Sequence, residues 1–262
     1  KGQTNRLNMH TIIVVAGNTF RETLRDKILY NLILFALVLI GSSVLLSTLT
    51  IGEQARIISD MGLASINLVV AVSAIFIGIG LVSKEIERRT IHTVLARPLT
   101  RVQFLLGKYL GLASIMGVNI GVMCGMFVVT LWLSGNVVHA SLFQAIELIL
   151  IEGLLIMAIA IFFSTFSSSI LSATMTIGFY VIGHLTGDLK GMAEKSESET
   201  VEVVMTLLYY LCPNLEILNI KGQAASGVFM DLGYQATVTA YGLAYAGLLL
   251  TSACLIFQRR DF

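Results

Sequence analysis

Residues 28–49 run through twenty-two positions without a charged side chain, and five further stretches are nearly as apolar. A hydrocarbon core about 30 Å thick is crossed by roughly 20 apolar residues of helix, so each stretch is a candidate span. The six are residues 28–49, 62–83, 109–133, 142–163, 170–187 and 234–257; the fourth carries Glu147 and Glu152, and the fifth carries His184. A barrel is excluded, because its strands alternate apolar and polar residues over about ten positions, whereas Leu32 to Ile40 is unbroken apolar sequence. The expected fold is all-α and polytopic, with six transmembrane helices forming a single transmembrane domain over residues 1–262.

Composition narrows the class further. Of 262 residues, 56% are hydrophobic and 13% charged, with a formal net charge of +1; an ordinary soluble domain has about a quarter of its residues charged. Disorder, a disulfide scaffold and nucleic-acid binding are excluded by so apolar and nearly neutral a chain. Cys124, Cys212 and Cys254 are odd in number and form no CxxC pair, so they read as small packing residues rather than a metal site. The first span exceeds a typical signal-peptide core, and no small-residue cleavage site follows it.

Residues 201–211 form a seventh apolar run, closed by Cys212, Pro213 and Asn214. We read it as an interfacial or re-entrant helix. Extending it to Ile220 as a span would bury Glu202, Pro213, Asn214, Glu216 and Asn219, at high cost in lipid. Six spans put both termini on one side. Thirteen lysines and arginines fall on that side against four on the other, or eleven against four without Lys1 and Arg6, which makes it the cytoplasmic side. Residues 188–233 are then the one long external segment. Its acidic first part is expected to be a solvated cap, with docking of a periplasmic or extracellular partner as the functional alternative.

Two cytoplasmic features stand out. Residues 9–27 place Ile12, Ala16, Phe20 and Leu24 at a spacing of four, with Arg21, Glu22, Arg25 and Asp26 between them. Such a helix has one apolar stripe and suits the headgroup level. Residues 84–101 begin with crowded charges, continue with Ile91, Val94 and Leu95, and close at Pro98, since the residue before a proline disfavours the helical region. That is a short amphipathic, cation-rich helix suited to docking in a groove of a soluble protein.

The series Glu87, Thr90, Leu95, Pro98, Arg101, Gly107 and Lys108, with the leader Phe20 to Lys27 and the ending Phe257 to Phe262, resembles the type-2 ATP-binding-cassette (ABC-2) permease family. Within it the chain is most similar to permeases resembling the NosY subunit of the nitrous-oxide reductase maturation system, and Pro213 to Ile220 also fits that subgroup. Arg89 departs from the pattern, since many relatives carry a glycine before the threonine.

The resemblance implies the permease half of an exporter: an elbow helix at 9–27, six spans, and a coupling helix at 84–101 that meets a cytoplasmic ATPase. Glu85, Glu87, Arg88, Arg89, Thr90, His92, Arg97 and Pro98 are the expected coupling residues. The expected partners are two ATPase copies carrying ATP and Mg, a second permease copy and the lipid bilayer, in a bacterial or archaeal cytoplasmic membrane. No nucleic acid and no cofactor of its own are expected. The chain contains no GxxxxGK[ST] phosphate loop, so it is not expected to be the enzyme.

Glu147, Glu152 and His184 are the intramembrane polar candidates, because ionisable groups in a span mark functional sites by default. Counted from the outer ends of their spans, Glu147 and His184 share a depth and are expected to pair. Glu152, five residues on, is turned about 140° from Glu147, so the two acids face different neighbours. Glu152 has two readings: hydrogen bonds between spans of one subunit, or the lining of a polar cavity between two subunits. Gly117, Gly121 and Gly125 allow close helix approach, expected within the subunit. Residues 164–169 read as a tight cytoplasmic turn. Two rival functions remain: a proton- or ion-coupled secondary transporter, weakened by the lack of an inverted repeat, and a membrane-embedded enzyme, weakened by the lack of a nucleophile-base pair.

Overall fold

The computed structural model describes residues 9–25, 27–47, 53–87, 100–195 and 199–259. They form α1 (Met9–Leu24), α2 (Lys27–Ser47), α3 (Gln54–Glu87), α4 (Arg101–Leu133), α5 (Ala140–Ser164), α6 (Ser169–His184), α7 (Thr186–Lys195), α8 (Glu199–Leu211), a 3-10 turn (Glu216–Leu218), α9 (Lys221–Ala225) and α10 (Leu232–Arg259). No strand occurs among the described residues.

Among the described residues, four helices are long and apolar enough to cross a membrane: Gln54–Gly80, Arg101–Leu133, Ala140–Ser164 and Leu232–Phe257. They coincide with four of the six expected spans. The first expected span falls on α2, whose described apolar stretch, Leu32–Leu45, is shorter. The fifth is cut short, since α6 ends at His184 rather than at 187. A further candidate is a pair, Thr200–Leu211 and Glu216–Ala225, bent by 51°.

α5 is the centre of the bundle, packed on α3, α4, α6 and α10. That enclosure explains why it is apolar on every face, where a surface helix would show a stripe. Glycines set the closest approach. A Cβ on Gly78 of α3 would lie 2.6 Å from the Ala160 Cβ, and one on Gly153 of α5 would lie 2.5 Å from a Val70 methyl. Gly117, Gly121 and Gly125 behave otherwise: an added Cβ at any of them meets nothing within 4 Å among the described residues. The expected packing of that stripe inside the subunit is therefore corrected, because glycine spacing permits an approach without supplying the partner.

α4 begins at Arg101, eight residues before the expected span. Thr100 and Gln103 form a capping box, the Gln103 N–H bonding to the Thr100 hydroxyl at 3.3 Å and the Thr100 N–H to the Gln103 carbonyl at 3.1 Å. At 1.5 Å per residue α3 and α4 are each about 50 Å long, well beyond a bilayer core. α3 ends at Glu87 and α4 starts at Arg101, on either side of residues 88–99, which lie outside the described residues. α1 packs along the start of α4: Gly107 meets Ile12 and Val15, and Gly111 meets Ala16 and Thr19. The pairs ascend together, so α1 runs beside α4 in the same direction over this stretch. Its inner face is Ile12, Val15, Ala16 and Thr19, a spacing of three and four rather than four throughout. Arg101 donates to the Phe257 carbonyl at 3.0 Å, tying the start of α4 to the end of α10, where a cation suits the exposed carbonyls.

Candidate functional site

A carboxylate enclosed in an apolar helix bundle is costly unless it is paired. Glu152, mid-way along α5, is 1% exposed and fully engaged. One carboxylate oxygen lies 3.0 Å from His184 Nε2. With the Asn67 amide oriented to satisfy both neighbours, the other carboxylate oxygen accepts from its NH2 group at 3.1 Å and its carbonyl accepts from Lys221 Nζ at 2.6 Å. His184 Nδ1 lies 3.3 Å from a Glu216 carboxylate oxygen, and the second Glu216 oxygen accepts from Asn219 at 3.0 Å. An ionised carboxylate only accepts, and a neutral imidazole donates from one nitrogen only. With both carboxylates ionised, only the imidazolium makes both His184 contacts as donor, and Glu152 and Glu216 then balance His184 and Lys221.

Exposure rises stepwise along this chain, from 1% for the Glu152 side chain through 20% for His184 to 47% for Glu216. Glu216 opens into a cleft of about 400 Å³ lined also by Gln223, Met230, Asp231 and Tyr234. The segment that brings Glu216 there is held by close backbone contact. Gly183 lets Leu215 and Pro213 approach so near that a Cβ would meet Leu215 at 2.8 Å. The Leu215 N–H bonds to the Gly183 carbonyl at 3.0 Å. α6 stops at this level, and the Thr186 hydroxyl closes its end on the Gly183 carbonyl at 2.6 Å. Leu215, Leu218, Ile220 and Ala224 are buried, so the later part of the 188–233 segment is built into the bundle.

Glu147 does not pair with His184. It is held by α10: Gln235 donates to one oxygen and the Thr239 hydroxyl to the other at 3.2 Å. Gln144 continues this strip, donating to the Met230 carbonyl and to Gln235. The expected pairing fails because depth was counted from outer ends that α6 does not reach. From the turn after Ser164, Glu152 is about 18 Å up its helix, His184 about 22 Å and Glu147 about 26 Å. His184 lies between the two acids, and facing decides. The expected difference in facing holds: Glu152 looks toward α3 and α6, Glu147 toward α10. The bonds of Glu152 seen here run to helices of its own chain.

Asn67, Glu216, Asn219 and Lys221 are not among the site residues expected from the sequence. Asn67 had a signal, as one of few strongly polar side chains in a charge-free span; the other three lie in a segment read as external. Of the coupling candidates, Glu85 and Glu87 belong to the last turn of α3. Arg88, Arg89, Thr90, His92, Arg97 and Pro98 lie outside the described residues.

Residues 13–262 match the family described as ABC-2 family transporter protein. The chain belongs to the ABC-2 transporter family. No curated protein matched it. For an ABC-2 chain the apolar helices are its membrane-spanning part. The Glu152 cluster then belongs to the membrane-embedded bundle, between its centre and the cleft beside Glu216.

Proposed function

We propose that this chain is the permease subunit of an ABC-2 exporter of the subgroup resembling the NosY subunit. It works as a dimer driven by two copies of a separate cytoplasmic ATPase that binds ATP and Mg. The observation that carries the reading is the family match over residues 13–262. The length of α3 and α4 supports it. Both helices are longer than a bilayer core needs and flank residues 88–99, and a stiff helical pair passes a displacement to the bundle that a loose loop would absorb. On this reading six spans cross a bacterial or archaeal cytoplasmic membrane. Both termini and residues 84–101 face the cytoplasm, in keeping with thirteen basic residues against four. Residues 188–233 lie on the outer side, and their acidic first part offers a surface to an extracytoplasmic partner. Glu85, Glu87, Arg88, Arg89, Thr90, His92, Arg97 and Pro98 form the contact with the ATPase.

Copurification from mild detergent, with the mass of the complex measured in solution, tests this assembly. Two permease chains with two ATPase chains are expected. A chain that transports with no nucleotide-binding partner would overturn the proposal.

A further inference from the structure

Glu216 and Lys221 both come from the segment between Cys212 and Ala225, and both grip the bundle through the same buried acid. Glu216 reaches Glu152 through His184, and Lys221 reaches it through Asn67. The line of charge thus leaves the segment, passes through the bundle and returns to the segment. It is a closed clamp rather than a path across the protein. We propose that these four ionisable groups form a pH-sensitive latch that holds residues 212–225 in the bundle. The latch is complete only while His184 is protonated and donates from both ring nitrogens.

The groups facing His184 are Glu152 from α5, Glu216 from the 3-10 turn and, edge-on along its own helix, the Tyr180 ring at 4.8 Å. Lys221 of α9 joins through the Asn67 amide of α3. Glu147 is engaged by α10 and takes no part. Alkali that deprotonates His184 removes one of its two donors. That leaves a carboxylate facing a bare ring nitrogen, and breaking one half of such a pair costs more than removing both.

The chain carries its own reporters. Cys212 is buried at the start of the segment, and Cys254 is buried on α10. In the full-length protein in nanodiscs, maleimide labelling of each is read by peptide mass spectrometry from about pH 5 to about pH 9. It is expressed relative to the unfolded protein at the same pH, to cancel thiol ionisation. Cys212 labelling is expected to be low near neutrality and to rise about tenfold on the alkaline flank, the change in opening that one lost charged hydrogen bond produces. Cys254 should stay constant. Glu152→Gln should raise Cys212 labelling at neutral pH. The double variant Glu152→Gln with His184→Gln, which leaves Glu216 and Lys221 as a balanced pair, should restore protection and abolish the alkaline rise. Labelling of Cys212 that is flat with pH overturns the proposal. So does an alkaline rise that persists in the double variant, or Cys254 rising in parallel, which is loosening of the whole bundle. The readout needs no nucleotide, so its outcome is independent of the ATPase reading.

Discussion

Glu152 and Glu147 lie five residues apart on one helix and live in different surroundings. Glu152 is sealed, with both oxygens bonded to neighbours that are themselves charged or bonded to charge. Replacing it by alanine leaves the imidazolium facing Glu216 alone and Lys221 without its bridge. We expect this to lower the free energy of unfolding by about 2–4 kcal/mol, read by circular dichroism melts in detergent. Glu147→Gln keeps the shape and one acceptor for α10, and should cost less than about 1 kcal/mol. Equal effects would show that burial of Glu152 carries no special weight. The sequence showed both acids and their opposite facing, because 100° per residue is a property of the helix. It did not show their partners. The polar residues of 212–221 were judged against lipid, where Glu216 and Asn219 are costly, whereas the bundle offers them His184, Asn67 and each other.

At the scale of helices, hydrophobic runs gave four spans closely and missed how helices begin and stop. α6 ends at His184 within an apolar run, because a tertiary contact at Gly183 claims the next carbonyl. α4 starts early because Thr100 and Gln103 cap it, a local signature that hydrophobicity does not register. Thr100→Ala should cost about 1 kcal/mol and speed hydrogen exchange at the Gln103 amide; unchanged exchange would contradict the cap. Glycines make the same point about packing. Gly153→Val would press on Val70 and on the Met116 sulfur, which a Cβ would meet at 2.8 Å, and should destabilise by about 1–3 kcal/mol. Gly121→Val meets open space and should leave the subunit's unfolding within about 0.5 kcal/mol of the native chain. Equal losses at the two sites would contradict the helix arrangement described.

At the scale of the molecule, scarce charges do the organising. The bundle holds a cluster of two acids and two bases near its cleft, and the sequence concentrates its bases on the side of residues 84–101. If that side meets an ATPase, its charges carry the coupling. The most direct test is ATP hydrolysis by the copurified complex, with Arg88 and Arg89 reversed together to glutamate and Glu87 to lysine. The account predicts that the altered permease folds with an unchanged melting temperature and loses its ATPase partner, or loses its effect on the partner's hydrolysis rate. Unchanged binding and unchanged hydrolysis in a complex of normal stability would contradict it.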